Sequence, residues 1–318
     1  MTFLLAIDGG GTRTRCIALD RDGVRRGEGE AGPSNHLHVP LVTATAALRC
    51  ATAAALAAAG STIDDVAIVS AGLAGVDFDG TGADDGARML RSIGFSRVVV
   101  HGDMVIAHWG ALAGAAGVVA LAGTGSSVLS IAADGTMTKA GGWGPLYGDQ
   151  GSAYQLGRLG LVAAAEAFDG SGAATVLVER LTRAVGVSRF PDTVARLYAD
   201  FSGQQHVAAL APIVDACAED GDEVAAAICR QAGNDLARLV LAVARRLPAA
   251  DRLVSYQGAV LGRSRLVRVA FLRALEAEGL ELDVRPPRFE PIVGAALLGA
   301  RAAGWQLALE RLEMPHGV

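Results

Sequence analysis

The sequence has few aromatic and few charged residues, and only four cysteines. Of 318 residues, 5% are aromatic and 19% are charged, against 51% hydrophobic, and the formal net charge is −5. The cysteines include no CxxC pair, which argues against a zinc site or a disulfide framework. The absence of a basic tract argues against nucleic acid as the main partner. The composition indicates an ordered α/β protein.

Long apolar runs are missing as well. The N-terminal run FLLAI is broken by Asp8, is too short for a signal sequence and has no basic leader. Alanine-rich stretches such as CATAAALAAAG are too short and too weakly apolar to span a bilayer. We therefore expect no membrane partner and, by default, a cytoplasmic location. The length suggests one large domain or two ordinary ones.

Strand-like and helix-like segments alternate in the first half of the chain. FLLAID, RTRCIALD, VAIVSAGLAG and RVVVHGD predict strands, with helix-like stretches between the later ones. Residues 117–135 (GVVALAGTGSSVLSIAADG) repeat the plan of residues 4–23: apolar strand, Gly/Thr turn, apolar strand, Asp-Gly turn. This predicts two copies of one architecture with a ligand between them. From about Leu156 the pattern predicts mostly helices, and EPIVGAALLGARAAG predicts a final helix that packs on the first copy.

The two Gly/Thr turns, Gly9–Thr12 and Gly123–Ser126, are candidate phosphate sites. Backbone N–H groups bind phosphate oxygens, and glycine lets the backbone approach closely. Two other interpretations remain open: a tight hairpin in which glycine supplies positive φ, or a dinucleotide site. No GxxxxGK[ST] motif occurs, and GTGSSV has Val128 where a dinucleotide fingerprint needs its third glycine. Two matching turns after matching strands favour phosphate binding.

Two carboxylates follow predicted strands. Asp8 leads into the first turn, where a carboxylate either caps the turn or holds Mg²⁺ through water beside nucleotide phosphates. Asp103 ends RVVVHGD and precedes a helix-like stretch. It is therefore either a helix N-cap or a base that accepts a hydroxyl proton during phosphoryl transfer.

A third glycine-rich segment, GGWGPLYGDQGSAYQLG, covers residues 141 to 157. It contains one carboxylate, Asp149, one amide, Gln150, and one indole, Trp143. This mixture suits a polyhydroxylated ligand, because a carboxylate accepts hydrogen bonds from neighbouring hydroxyl groups.

Together these motifs resemble the N-acetylglucosamine kinase branch of the BadF/BadG/BcrA/BcrD ATPase family. The resemblance rests on DGGGTRT, HGDM, AGTGS and GGWGPLYGDQGS, with weaker support from SYQGAVLG and EPIVGAALLGA. It implies the fold of actin, sugar kinases and the Hsp70 ATPase domain: a two-lobed, ribonuclease H-like, actin-like α/β fold with a duplicated mixed sheet, flanking helices and an interlobe cleft. We expect residues 1–113, with a C-terminal helix at about 291–311, to form one lobe and residues 114–290 the other.

The resemblance also implies ligands and site residues. It implies ATP, Mg²⁺ and an amino sugar as ligands, commonly a homodimer, Asp103 as catalytic base, and Asp8 near the metal. The expected nucleotide contacts are Gly10, Gly11, Thr12, Thr124, Gly125, Ser126, Gly221, Gly258 and Ala259. The expected sugar contacts are Asn35, Asp103, Gly142, Trp143, Gly144 and Asp149, although Asn35 also suits a Pro-Ser turn. Ala259 stands where some relatives carry serine, and Gln150 where they often carry glutamate.

The implied reaction is ATP-dependent phosphorylation of N-acetylglucosamine to N-acetylglucosamine 6-phosphate, with glucosamine or N-acetylmuramic acid as alternative substrates. A BadF-type activase would need thiolates placed to share an iron–sulfur cluster, and these cysteines fall in strand and helix patterns. A sugar-sensing ATP-binding regulator would bring a DNA-binding segment, which we do not expect in a chain that starts at its first phosphate motif. For Asp79, Asp84 and Asp85 we expect solvated surface rather than sugar contacts.

Overall fold

The computed structural model describes residues 1–199 and 204–312. The chain divides into two units, each built on a five-stranded sheet. Unit 1 contains Met1–Gly117, Ile131–Met137 and the chain from Arg285 onward, and unit 2 contains Val118–Ser130 and Thr138–Val284.

The sheet of unit 1 is mixed and has the strand order β3-β2-β1-β4-β5. β1 pairs antiparallel with β2, and β2 with β3, whereas β1, β4 and β5 are parallel to one another. All but one of the residues of β1 are buried, as expected for a strand covered on both faces. The strands are β1 (Phe3–Gly9), β2 (Thr14–Leu19), β3 (Arg25–Ala31), β4 (Val66–Leu73) and β5 (Val98–Gly102).

Helices cover both faces of this sheet. They are α1 (Leu41–Ala58), α2 (Ala83–Ile93), α3 (Asp103–Ala111) and α12 (Pro291–Ala303). α1 buries one stripe, which includes Ala44, Leu48, Ala51 and Ala55, in the core with Leu5 and Ile7 of β1. α12 packs on β1, β4 and α3. Among the described residues α1 is the one helix long and apolar enough to cross a membrane by length and composition, a test that core helices also pass.

The strand β3, with sequence RRGEGEA, was not predicted from the sequence. Its inward positions are buried glycines, Gly27 and Gly29, which lie against the α1 carbonyl oxygens of Ala55 and Ala51. A Cβ at either glycine would collide with the helix backbone. The usual alternation of apolar and polar side chains is therefore absent, although the backbone alternates between the two faces in the normal way.

Unit 2 repeats the plan of unit 1, with the sheet order β10-β9-β6-β7-β8. Read from β8, this order matches that of unit 1 strand for strand, and β6, β9 and β10 are parallel like β1, β4 and β5. The predicted duplicated mixed sheet is thus confirmed. The strands are β6 (Gly117–Ala122), β7 (Ser126–Ile131), β8 (Met137–Gly141), β9 (Leu253–Gln257) and β10 (Asp283–Val284).

Most of unit 2 after β8 is helical, as the sequence predicts. The helices are α4 (Ala153–Asp169), α5 (Leu177–Val185), α6 (Asp192–Ala199), α7 (Gln204–Ala208), α8 (Ala211–Glu219), α9 (Glu223–Ala244), α10 (Ala259–Arg263) and α11 (Arg265–Ala277). Side chains cap three of them at their first turn: Ser152 for α4, Asp222 for α9 and Ser264 for α11. The short strand β8 was not predicted.

Candidate functional site

The candidate site residues of unit 1 lie where β1, β4 and β5 end. These strands are parallel, so their carboxyl ends meet at one edge of the sheet, the edge where open α/β sheets bind ligands. β1 ends at Asp8 and Gly9, and β5 leads directly into Asp103. The structure thus brings Asp8 and Asp103 to the same edge of the sheet.

The first glycine turn joins β1 to β2. The amide of Gly10 donates to the carbonyl oxygen of Arg13 at 2.9 Å, and Thr12 is exposed at the tip. Neither Gly9 nor Gly10 has the left-handed φ of a hairpin glycine; instead, a Cβ on Gly9 would collide with the Ser34 hydroxyl and lie 2.6 Å from Leu73. Glycine at position 9 therefore allows this turn to pack closely against Ser34 and Leu73.

Asn35 is held against the first turn by backbone hydrogen bonds. The carbonyl oxygen of Gly10 accepts from the amides of Ser34 at 3.1 Å and Asn35 at 3.3 Å. The buried Asn35 side chain accepts from the amide of Leu37 at 3.0 Å, and its Nδ2 lies 3.5 Å from the ring of His38. Asn35 thus has the turn role that the sequence left open, and it has this role next to the first glycine turn.

Asp8 is a carboxylate in an unfavourable electrostatic position. Its pKa is raised to about 6, mainly by burial and next by the neighbouring charge of Asp103, while Arg15, directly opposite on β2, lowers it. The Arg15 guanidinium is itself shared, since it donates to Glu290 at 2.5 Å. A cation beside Asp8 would offset the cost of its charge, so the donor chemistry fits Mg²⁺ held by one carboxylate, water and phosphate.

Asp103 is the first residue of α3, and Gly102 takes the N-cap position instead. The carboxylate accepts from the amide of Met104 at 2.8 Å and is otherwise accessible to solvent. Desolvation by the surrounding protein raises its pKa, the hydrogen bond from Met104 lowers it, and the charge of Asp77 raises it. An accessible carboxylate with a raised pKa is suited to accept a proton.

The second glycine turn joins β6 to β7 in unit 2. The first amides of α4 hold it, since Ala153 donates to Gly123 at 2.9 Å and Tyr154 donates to Thr124 at 3.1 Å. Thr124 is exposed at the tip, like Thr12 in the first turn. Ser126, in contrast, is buried and its hydroxyl donates to the Gln150 carbonyl oxygen at 2.6 Å.

Asp149 lies against this second turn. Its carboxylate accepts from the amide of Ser126 at 3.2 Å, and both carboxylate oxygens lie 3.0 Å from where a Cβ on Gly125 would stand. Burial raises the pKa of Asp149, and the hydrogen bond from Ser126 lowers it. The residue also has a left-handed φ of 56°, an uncommon conformation for a side chain other than glycine. Asp149 therefore links the predicted sugar loop to the predicted phosphate turn.

The predicted sugar loop is a tight glycine-rich turn with exposed apolar side chains. The amide of Gly142 donates to the carbonyl oxygen of Ser126 at 2.9 Å, so the loop starts beside the second turn. Gly142 and Gly144 have left-handed φ values of 70° and 80°. The Trp143 side chain is 62% exposed, which makes the indole available to stack on a ligand.

The predicted adenosine segment lies at the end of β9. Gly258 has a φ of 101° and lies against the backbone of Ala122, the last residue before the second turn. Ala259 follows as the first residue of α10. The structure thus brings Gly258 and Ala259 close to the second turn, whereas Gly221 lies in a separate turn between α8 and α9.

The sequence did not single out two features of the unit 1 site. Asp77 follows β4 at the same sheet edge as Asp103. The sequence pattern that could have indicated it is a carboxylate shortly after a buried strand. The ion pair between Arg15 and Glu290 joins residues 275 positions apart in the chain, so no local pattern indicated it.

The fold defines a class of protein: an α/β protein with duplicated mixed sheets, each with a glycine-rich turn after its first strand. The chain belongs to the BadF/BadG/BcrA/BcrD ATPase family, whose sequence model matches residues 5–299. The family and fold expected from the sequence are thereby confirmed.

Individual relatives have names that are more specific than the family description. The chain is 27% identical over 309 residues to the N-acetyl-D-glucosamine kinase of Dictyostelium discoideum, covering 93% of this chain and 97% of the relative. It is 27% identical over 257 residues to the N-acetylmuramic acid/N-acetylglucosamine kinase of Clostridium acetobutylicum, covering 80% and 83%. A solved structure of a candidate N-acetylglucosamine kinase from Chromobacterium violaceum matches with 26% identity and a TM-score of 0.78, covering 94% and 98%.

Proposed function

We propose that this protein is an ATP-dependent kinase that transfers the γ-phosphoryl group of ATP to a hydroxyl group of an amino sugar, with N-acetylglucosamine as the first candidate. Family membership and the two kinase relatives support this proposal. The observation that carries it is the position of Asp103, an accessible carboxylate with a raised pKa at the same sheet edge as Asp8 and the first glycine turn.

In this proposal Asp103 is the general base. The sugar hydroxyl oxygen bonds to the γ-phosphorus as the bond to the ADP oxygen breaks, and the hydroxyl proton passes to Asp103. This chemistry asks mainly for positioning, charge neutralisation and one oriented acceptor. Mg²⁺, held at Asp8 through water, would neutralise charge on the phosphates. Within the described residues no three His, Cys, Asp or Glu side chains form a metal cage, which fits an ion bound largely by phosphate and water.

The other expected site residues keep their assignments with one change. We assign phosphate contacts to Gly10, Gly11, Thr12, Thr124 and Gly125, and adenosine contacts to Gly258, Ala259 and Gly221. We assign sugar contacts to Asn35, Gly142, Trp143, Gly144 and Asp149. The change is Ser126, which we assign to positioning the second turn, because its hydroxyl already donates to Gln150.

The test is coupled ADP release with Mg-ATP and a panel of acceptors: N-acetylglucosamine, N-acetylmuramic acid, glucosamine, N-acetylmannosamine and glucose, with a sugar-free control. Turnover that depends on one amino sugar supports the proposal and identifies the substrate. The name of the Clostridium relative makes N-acetylmuramic acid the second candidate. ADP release that no sugar changes would instead indicate an ATPase, and no release at all would contradict catalysis.

An activase with an iron–sulfur cluster is the competing proposal, and the thiols argue against it. Cys16, Cys217 and Cys229 are buried, and only Cys50 is exposed. Burial raises the pKa of the Cys229 thiol to about 12, and it also raises the pKa values of Cys16 and Cys217. Cluster ligands must be thiolates, so an iron and sulfide assay on the pure protein should find neither element.

We propose in addition that the enzyme is a cytoplasmic homodimer. The location fits an ATP-dependent reaction, and the dimer follows the resemblance to the kinase branch. Light scattering coupled to gel filtration measures the mass, and a monomer mass of about 32.4 kDa at micromolar concentration would contradict the dimer.

A further inference from the structure

The loop after β4 contains a carboxylate, Asp77, that the roles above do not use. The segment from Gly75 to Asp77 runs between two proposed sugar contacts. At one end a Cβ on Gly75 would stand 2.8 Å from the Oδ1 atom of Asn35. At the other end a Cβ on Gly102, the residue before Asp103, would stand 3.1 Å from the carbonyl oxygen of Asp77. The loop thus spans the distance from Asn35 to Asp103.

The backbone around Asp77 is fixed although its side chain is exposed. The amide of Asp77 donates to Thr81 at 2.9 Å, and its carbonyl oxygen accepts from Gly80 at 3.0 Å. The carboxylate accepts from the amide of Phe78 at 2.8 Å. A charged side chain held in one place at a ligand-binding edge loses little conformational entropy when it binds.

Asp77 and Asp103 are also close enough to interact. The charge of Asp77 contributes to the raised pKa of Asp103, after desolvation. Two neighbouring carboxylates repel each other, and a ligand that donates hydrogen bonds to both offsets that repulsion. A sugar carries several hydroxyl groups that can supply such donors.

We propose that Asp77 is a further specificity-determining residue, which accepts a hydrogen bond from a sugar hydroxyl other than the one that is phosphorylated. The inference rests on the proposed function, because it places Asp77 in the same acceptor site as Asn35 and Asp103. Asp77 then distinguishes sugars by the presence and orientation of that second hydroxyl group.

The test compares Asp77→Ala and Asp77→Asn with the matched control Asp79→Ala. Asp79 lies in the same loop, where its carboxylate accepts from the amide of Thr81 at 2.9 Å. Loss of a hydrogen bond to a charged group weakens binding about tenfold to a hundredfold. We expect Asp77→Ala to raise the KM and the calorimetric Kd of the sugar by that factor while the KM of ATP stays unchanged, and Asp79→Ala to behave like wild type.

Binding measurements with deoxy sugars distinguish a direct hydrogen bond to Asp77 from a general structural effect of the substitution. One of the two analogues, 3-deoxy- or 4-deoxy-N-acetylglucosamine, should bind the wild type more weakly than N-acetylglucosamine by the same factor. Asp77→Ala should bind that analogue as tightly as the wild type does. Equal loss for every analogue, or a sugar KM in Asp77→Ala equal to that in Asp79→Ala, would overturn the role of Asp77 and leave the kinase proposal intact. A wild-type enzyme without amino-sugar turnover would instead refute the proposed function itself.

Discussion

Asp103 is the residue on which the proposed chemistry depends most. If it accepts the hydroxyl proton, Asp103→Asn removes the acceptor while its backbone position at the start of α3 is unchanged. General-base catalysis contributes about a hundredfold to ten-thousandfold in rate. We expect kcat to fall by at least the lower factor and the calorimetric Kd of the sugar to change less than about threefold. Near-normal turnover in Asp103→Asn would refute the assignment.

Asp8 gives a prediction about stability rather than rate. Its pKa is raised to about 6 in the folded protein, so folding is opposed by its charge above that pH. The destabilisation by the Asp8 charge is absent below pH 3.8, where the carboxyl group is protonated in both the folded and the unfolded chain. It develops as the pH rises and is complete above about pH 6. In metal-free buffer at pH 8, Asp8→Asn should therefore be more stable than wild type by ~3 kcal/mol, because each unit of pKa shift corresponds to about 1.4 kcal/mol, and the difference should disappear near pH 4.

Asp20 is the matched control with the opposite sign. Burial alone would raise its pKa, but hydrogen bonds from Arg26 at 2.7 Å and from the amide of Val24 at 2.9 Å lower the pKa overall. Its charge therefore stabilises the fold at neutral pH, and that contribution is lost as the pH falls through the lowered pKa. Asp20→Asn should be destabilised at pH 8. Urea melts from pH 4 to pH 8 measure the free energy of unfolding of both variants relative to wild type. Changes of the same sign at pH 8, or the same pH dependence for both variants, would contradict the two predictions.

Short sequence motifs predict candidate site residues but not the long-range contacts between them. The motifs predicted Asp103, Asp149 and Ser126 as candidate site residues, because short spacings carry that information. They did not show that the Ser126 amide donates to Asp149, 23 positions away, since that contact depends on how α4 returns to the second turn. The pair of Arg15 and Glu290 is a contact of the same long-range kind.

At the scale of elements, the packing of α1 on β3 depends on two glycines. A Cβ on Gly29 would collide with the Ala51 carbonyl oxygen and lie 2.7 Å from the amide nitrogen of Ala55. These are backbone atoms, which cannot rotate away, so Gly29→Ala should destabilise the protein by about 3 kcal/mol, the upper end for overpacking. Gly32→Ala is the control, because nothing lies within 4 Å of its added Cβ. Equal urea midpoints for the two variants would contradict this packing.

The same element explains why β3 was missed while its neighbours were predicted. β1, β2 and β4 have buried side chains along most of their length, so their apolar runs are visible in the sequence. β3 contributes backbone and hydrogen-bond pairing with β2 but almost no apolar side chain. A pattern of charged residues and glycines is more typical of a loop, and only the helix packed on it shows that those glycines are required.

For the whole molecule, the proposed function requires two ligands, a nucleotide and an amino sugar. A ligand that binds the folded chain but not the unfolded chain adds its binding free energy to the stability of the fold. If nucleotide and sugar favour the same conformation of the folded chain, each should also strengthen binding of the other by an equal factor.

Thermal melts measure this coupling. A non-hydrolysable ATP analogue with Mg²⁺ should raise Tm, the preferred amino sugar should raise it, and the two together should raise it by more than the sum of the separate shifts. Calorimetry should then give the same coupling factor whichever ligand is added first, typically about 5- to 150-fold. A simple sum of the shifts would mean that the ligands bind independently.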